Sequence, residues 1–155
     1  MLKNGEQLVY SSSKENKEKG ESPIHTIDLF HDGKIIGRAE ITYYSKPFPL
    51  YQISDLYVDY EFQGEGRGSE IMSQVESFLN ERKRAGVLVE AIDPDSPASG
   101  MYQRRGWLEV PGQHGLHVYN LPKSAKLEDL NGYASRFTFM EERESWKNKI
   151  IASNE

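Results

Sequence analysis

The chain has no cysteine among its 155 residues. That excludes disulfides, thiolate nucleophiles and thiolate metal sites, and it leaves the redox compartment open. No apolar run approaches the length of a membrane span, and no hydrophobic leader segment follows Met1. An excess of basic residues is also missing: 19 Lys and Arg stand against 24 Asp and Glu, a formal net charge of −5. General nucleic-acid binding needs a basic face, so that class of partner is set aside, as is a membrane. A cationic partner such as an amine suits the acidic balance, and so does plain solubility. The reading is a soluble, cytoplasmic protein of one domain, residues 1–155, long enough to bury a core.

What is present centres on residues 53–79. Leu56 and Val58 alternate with Asp55, Tyr57 and Asp59, which predicts a strand with two different faces. Gly64, Gly66 and Gly68 follow at every second position. Ile71, Met72, Val75, Phe78 and Leu79 then recur at helical spacing. A strand therefore runs through a glycine-rich bend into a helix. The first amides of a helix have no partner within it, and the peptide dipoles add partial positive charge there. Glycines let a diphosphate approach that backbone. Residues 64–69 thus read either as a pyrophosphate cradle or as a sharp turn without a ligand.

The rest of the chain frames this unit. Residues 1–23 are polar, with a short first strand at 7–10 and a loop at 11–22. Strands are expected at 24–30 and 34–44, joined by His31-Asp32-Gly33, a strong hairpin signal. The helix is expected to stop near Ala85-Gly86. A buried strand at 87–92 follows, and strand–helix–strand order makes it parallel to residues 53–60. Ser96 and Pro97 suit the N-cap and first position of a short helix, 97–105, ending at Gly106. Two final strands are expected at 107–110 and 117–121. Residues 122–155 read as helical, with Leu127, Leu130, Ala134 and Phe137 on one face that docks on the chain's own core or on a second copy as a homodimer. The core is thus 24–120 and the helical extension 121–155.

Two nucleotide motifs fail on inspection. A dinucleotide fingerprint wants G-x-G-x-x-G after the first strand of a βαβ unit, but Ser69 stands at the third glycine and a hairpin precedes the bend. A P-loop wants G-x-x-x-x-G-K-[ST], which is absent. By contrast, Gln63-Gly64-Glu65-Gly66-Arg67-Gly68 resembles the Q/R-x-x-G-x-G/A signature of the GNAT N-acetyltransferase superfamily. Leu56-Tyr57-Val58 resembles that family's fourth strand. Tyr102-Gln103-Arg104-Arg105-Gly106-Trp107 resembles its later Y-x-x-x-G-F motif, with Trp107 in place of Phe. The resemblance covers about residues 24–120.

The resemblance implies an α/β fold, a central mixed sheet flanked by helices, of the acyl-CoA N-acyltransferase type. It implies acetyl-CoA as the acyl donor and a primary amine as the acceptor, joined in a ternary complex. The coenzyme site would comprise Leu56, Tyr57, Val58, Gln63, Gly64, Glu65, Gly66, Arg67, Gly68, Ser69 and Asp95. The pantetheine arm would lie along 56–58 like an added strand, and the Val58 N–H would bond the acetyl carbonyl. Asp95 falls where many members carry Asn, and Glu65 where many carry a basic or neutral residue.

The chemistry agrees. A thioester is already activated, so the enzyme must polarise its carbonyl and protonate the leaving thiolate. Tyr102 is the candidate general acid, because a phenol keeps its proton at neutral pH. The alternative is a packed aromatic in a short helix. No base is assigned. Gln52 stands where some members have Glu, Asp55 and Asp59 lie nearby, and Glu90 sits in an apolar strand where burial would raise its pKa. His114 and His117 do not match a helical zinc motif, so no metal is expected. Tyr43, Tyr44, Phe48 and Tyr51 offer an aromatic cluster that suits either an acceptor pocket or ordinary packing. The rival to an enzyme is a CoA-binding sensor or partner-binding module on the same fold.

Overall fold

The computed structural model describes residues 2–13, 23–89, 97–112 and 115–133. Within them the elements run β1 (Glu6–Ser12), β2 (Ile24–His31), β3 (Lys34–Tyr44), β4 (Leu50–Val58), α1 (Arg67–Arg82), β5 (Ala85–Val89), α2 (Pro97–Arg104), β6 (Leu108–Glu109) and β7 (Leu116–Tyr119). The strands form one mixed sheet in the spatial order β1-β2-β3-β4-β5-β7-β6. The first four make an antiparallel meander, and β5 lies parallel to β4. Among the described residues no helix is long and apolar enough to cross a membrane.

Local chemistry explains several of these elements. Asp32 and Gly33 both adopt positive φ, 49° and 81°, and pair His31 with Lys34 across a two-residue turn. Helix α1 buries Ile71, Met72, Val75, Phe78 and Leu79. They pack on Ile27, Leu29, Ile36, Ile41, Ile53 and Leu56 from the sheet. Tyr102 of α2 and Trp107 join the same core, so both helices lie on one face. Glu76 of α1 binds them together: its carboxylate accepts from Arg105 at 2.7 and 3.0 Å and from the Trp107 indole at 2.8 Å. On the other face Leu50, Val87, Val110, Leu116 and Val118 pack with Leu130 and Tyr133 from the chain after β7. The Tyr133 hydroxyl donates to the buried Gln52 amide oxygen at 2.8 Å.

Three expectations are corrected. Helix α1 stops at Lys83, which takes the left-handed conformation (φ 53°, ψ 47°) and returns its N–H to the Asn80 and Leu79 carbonyls. Gly86 is not the stop signal but lies in β5. A Cβ there would sit 2.3 Å from Leu79 Cδ1, so glycine lets the helix approach the strand. Residues 122–132 are not a helix and hold only a 3₁₀ turn, Leu127–Leu130. An i, i+3 apolar pair fits one such turn as well as an α-helix. Finally, the four aromatics do not form one cluster. Tyr43 and Tyr51 meet edge to face at 5.4 Å on the helix-bearing side, whereas Tyr44 and Phe48 pack into the opposite core. Residues 14–22, Glu90, residues 93–96 with Asp95, His114 and everything from Ala134 onward lie outside the described residues.

Candidate functional site

The site begins toward the C-terminal end of β4. Among the described residues the β4–β5 ladder runs from Leu50 opposite Ala85 to Ile53 opposite Leu88. Strand β4 continues to Val58, held on its other side by β3 through Arg38 opposite Tyr57 and Gly37 opposite Val58. A bulge follows Ile53 in β4. Asp55 has φ 51°, and the β3 register shifts between Arg38 and Glu40. A bulge inserts one residue, bends its strand and reverses the alternation beyond it. Ile53 and Leu56 therefore share the helix-side core although simple alternation puts them on opposite faces. The last part of β4 carries Leu56, Tyr57 and Val58 beyond the pairs with β5 that the described residues make.

The glycine bend follows that strand end. Gln63 is used to build it: its side-chain amide donates to the Val58 carbonyl at 2.8 Å and ties the bend to the strand end. Gly64 and Gly66 hold φ of 83° and 84°, and Gly66 is the helix N-cap. Among the described residues no side chain caps α1. The first backbone bond within α1 is from Glu70 N–H to the Gly66 carbonyl at 3.1 Å. The amides of Arg67, Gly68 and Ser69 thus precede the helix ladder and present donors at its positive end. A Cβ built on Gly64, Gly66 or Gly68 would meet nothing within 4 Å. At Gly68 this is informative, because its φ is not positive and neither conformation nor packing demands glycine. A helical glycine costs about 0.5–1 kcal/mol relative to alanine. The open ground above it fits a group that must reach the backbone.

Side-chain charge is not what makes this cradle cationic. Arg67 is buried and turned to β1, where it pairs with the Glu6 carboxylate at 2.8 Å. It also donates to the Phe62 carbonyl at 3.0 Å and to Glu65 at 3.1 Å. Glu65 in turn pairs with Lys3. Two carboxylates thus offset two cations around the bend, so the positive potential there comes from the backbone amides. Sequence reasoning missed Glu6, since the contact joins residues 61 positions apart. Its side chain is fully inaccessible to solvent. Burial raises its pKa, but hydrogen bonds from Arg67, the Lys3 backbone and His31 outweigh this and hold it at about 2, against a usual 4.5.

This pair should make the fold acid-labile. The folded value lies below the unfolded one, so the stabilisation is complete above about pH 4.5 and is lost as pH falls toward 2. Glu6→Gln is expected to lower stability by about 2 kcal/mol at pH 7, less than for a deep ion pair because this one lies at the sheet's edge. Urea melts at pH 7 and pH 3 check it: the gap between variant and native protein should shrink at the lower pH.

The second motif meets the first through α2. Ser69 Oγ lies 3.7 Å from Met101 Sδ, which sets the start of α1 beside the residue preceding Tyr102. Tyr102 is buried, and its ring centroid stands 5.5 Å from that of His117 on β7. Tyr57 is half-buried beside Arg38, and burial pushes its phenol pKa up. A cavity of about 220 Å³, lined in part by Leu8, Tyr10, Phe78 and Arg82, lies toward the far end of α1 and away from the bend. The structure thus brings together the residues of the strand end, the bend and α2. Asp95 lies outside the described residues.

Comparisons with known proteins follow the same lines. The family model described as "Acetyltransferase (GNAT) family" matches residues 4–107. No curated protein sequence matches the chain. Among solved structures it is similar to the PaiA N-acetyltransferase of Thermoplasma acidophilum in complex with coenzyme A, with 16% identity and a TM-score of 0.50 over 61% of this chain and 58% of that one. It is similar to a GNAT family acetyltransferase from Elizabethkingia anophelis with acetyl-CoA bound, with 13% identity and a TM-score of 0.56 over 77% of this chain and 100% of that one. Arabidopsis thaliana NAA60 in complex with a bisubstrate analogue gives 19% identity and a TM-score of 0.52 over 65% and 76%. The chain therefore spans less than two thirds of the Thermoplasma protein's length. At such identities the likeness is one of fold.

Proposed function

This chain belongs to the GNAT acetyltransferase family and has its fold, a mixed seven-stranded sheet with helices packed on it; on that premise we propose that it transfers the acetyl group of acetyl-CoA directly to a primary amine in a ternary complex. The observation that carries the reading is the cradle at the start of α1, with three glycines whose Cβ positions are open and, among the described residues, no side-chain cap. In this reading the amides of Arg67, Gly68 and Ser69 hold the coenzyme's pyrophosphate. Leu56–Val58 of β4 supply the wall on which its pantetheine arm lies as an added strand. The Val58 N–H polarises the thioester carbonyl and stabilises the oxyanion that forms when the amine attacks. Tyr102 then gives its phenolic proton to the departing thiolate, which leaves as the free thiol of coenzyme A, while the proton shed by the acylated amine passes to water and the phenol is reprotonated from solvent. The bound acetyl-CoA and CoA in the Elizabethkingia and Thermoplasma structures support the donor. The chain's net charge of −5 supports a cationic acceptor.

Thiol release from acetyl-CoA tests the proposal. The protein is incubated with phenethylamine, spermidine and a lysine-containing peptide, and free coenzyme A is followed with a thiol reagent. The chain has no cysteine to contribute background. Amine-dependent thiol release with matching acetylated product is expected. Coenzyme binding without turnover on any amine would favour a sensor instead.

A further inference from the structure

Against the Tyr102 ring lies a histidine that the reaction as described does not use. His117 is 3% exposed, and neither ring nitrogen has a hydrogen-bond partner among the described residues. Register explains its place. His117 lies opposite Leu88 of β5 and Glu109 of β6. Its strand neighbours Leu116 and Val118 face the other core, so its ring faces the helix-bearing side, where it meets Tyr102 at 5.5 Å with the rings inclined at 56°. Burying two imidazole nitrogens without partners costs stability that a leucine at the same place would not forfeit. A polar group buried without a partner at such a position points to use in the loaded protein.

Resting on the acetyltransferase reading, we propose that His117 is the positioning residue for Tyr102: its ring N–H donates to the phenol oxygen once acetyl-CoA is bound. That donation leaves the phenol O–H directed at the leaving sulfur. It also stabilises the phenolate as the proton departs, which makes Tyr102 the stronger acid at that moment. No proton is lost from the imidazole in this step; the proton passes from the Tyr102 oxygen to sulfur. A neutral ring is required, and burial supplies it by lowering the imidazole pKa against the Gly115 backbone and the Glu109 charge, which favour protonation. The approach from Gly115 falls short of hydrogen-bond geometry, so an N–H remains available.

The experiment is a double-mutant cycle on the full chain, with thiol release from acetyl-CoA measured on the acceptor that turns over fastest. His117→Leu is expected to lower kcat about tenfold while the KM for acetyl-CoA stays within about twofold. Its melting temperature should equal or exceed that of the native protein. His117→Gln, which keeps an N–H donor, should recover most of the rate. In a Tyr102→Phe background His117→Leu should cost nothing further, because the two act as a unit. Native kcat in His117→Leu, or the same tenfold loss with Tyr102 already replaced, overturns the inference. Should His117→Leu fail to fold, His117→Phe carries the same comparison. A native protein with no turnover on any amine removes the acetyltransferase reading itself, and this inference with it.

Discussion

Titrating the Gly68→Asp variant with coenzyme A should show affinity roughly 100-fold below that of the native protein, or no measurable heat. The reasoning is local. Gly68 stands in the first turn of α1, among the amides that precede the helix ladder. A Cβ built there meets nothing within 4 Å, so the substitution starts without a clash. Its carboxylate would then occupy the ground a diphosphate needs and repel it. Gly68→Ala separates the two effects. It should stabilise the helix by up to about 1 kcal/mol, since alanine is the better helix former, while still weakening coenzyme binding. A stabilised variant that binds the coenzyme less well is what a functional glycine predicts. Native affinity in Gly68→Asp would remove the cradle from the coenzyme site.

Tyr102→Phe should cut kcat by about 100-fold and leave the KM for acetyl-CoA nearly unchanged. A general acid acts only as the thiolate departs, so its loss appears in the chemical step and not in ground-state binding. Phenylalanine keeps the ring that packs in the helix-side core with Leu88 and Trp107, which limits structural damage. An acetyl donor with a more acidic thiol leaving group should restore part of the rate, because such a group needs less protonation. Steady-state kinetics with both donors check this. A variant that turns over normally would return Tyr102 to the role of a packed aromatic.

The local features were legible from residue order. Asp32-Gly33 forces a two-residue turn whatever surrounds it, and the spacing from Ile71 to Leu79 selects a helix with one apolar face. The glycines at 64, 66 and 68 mark the bend for the same reason: each acts within one turn of chain. Where the signals were ambiguous, packing decided. Gly86 reads as a stop, yet Leu79 needs that space, and Lys83 ends the helix instead. Leu127 and Leu130 read as helix, yet they make a single 3₁₀ turn against the far core.

By itself the sequence determined the strand–bend–helix unit, the hairpin, the parallel return to β5 and the pairing of two motifs that identifies the family. Tertiary structure alone decided three matters. Asp55 bulges out of β4 and shifts its register against β3, Arg67 turns away to Glu6, and Tyr102 comes to rest against a buried His117. Turns and helical faces follow from neighbours a few residues away, whose interactions survive in any context. These three depend on which distant strand lies alongside, and no short-range pattern carries that information.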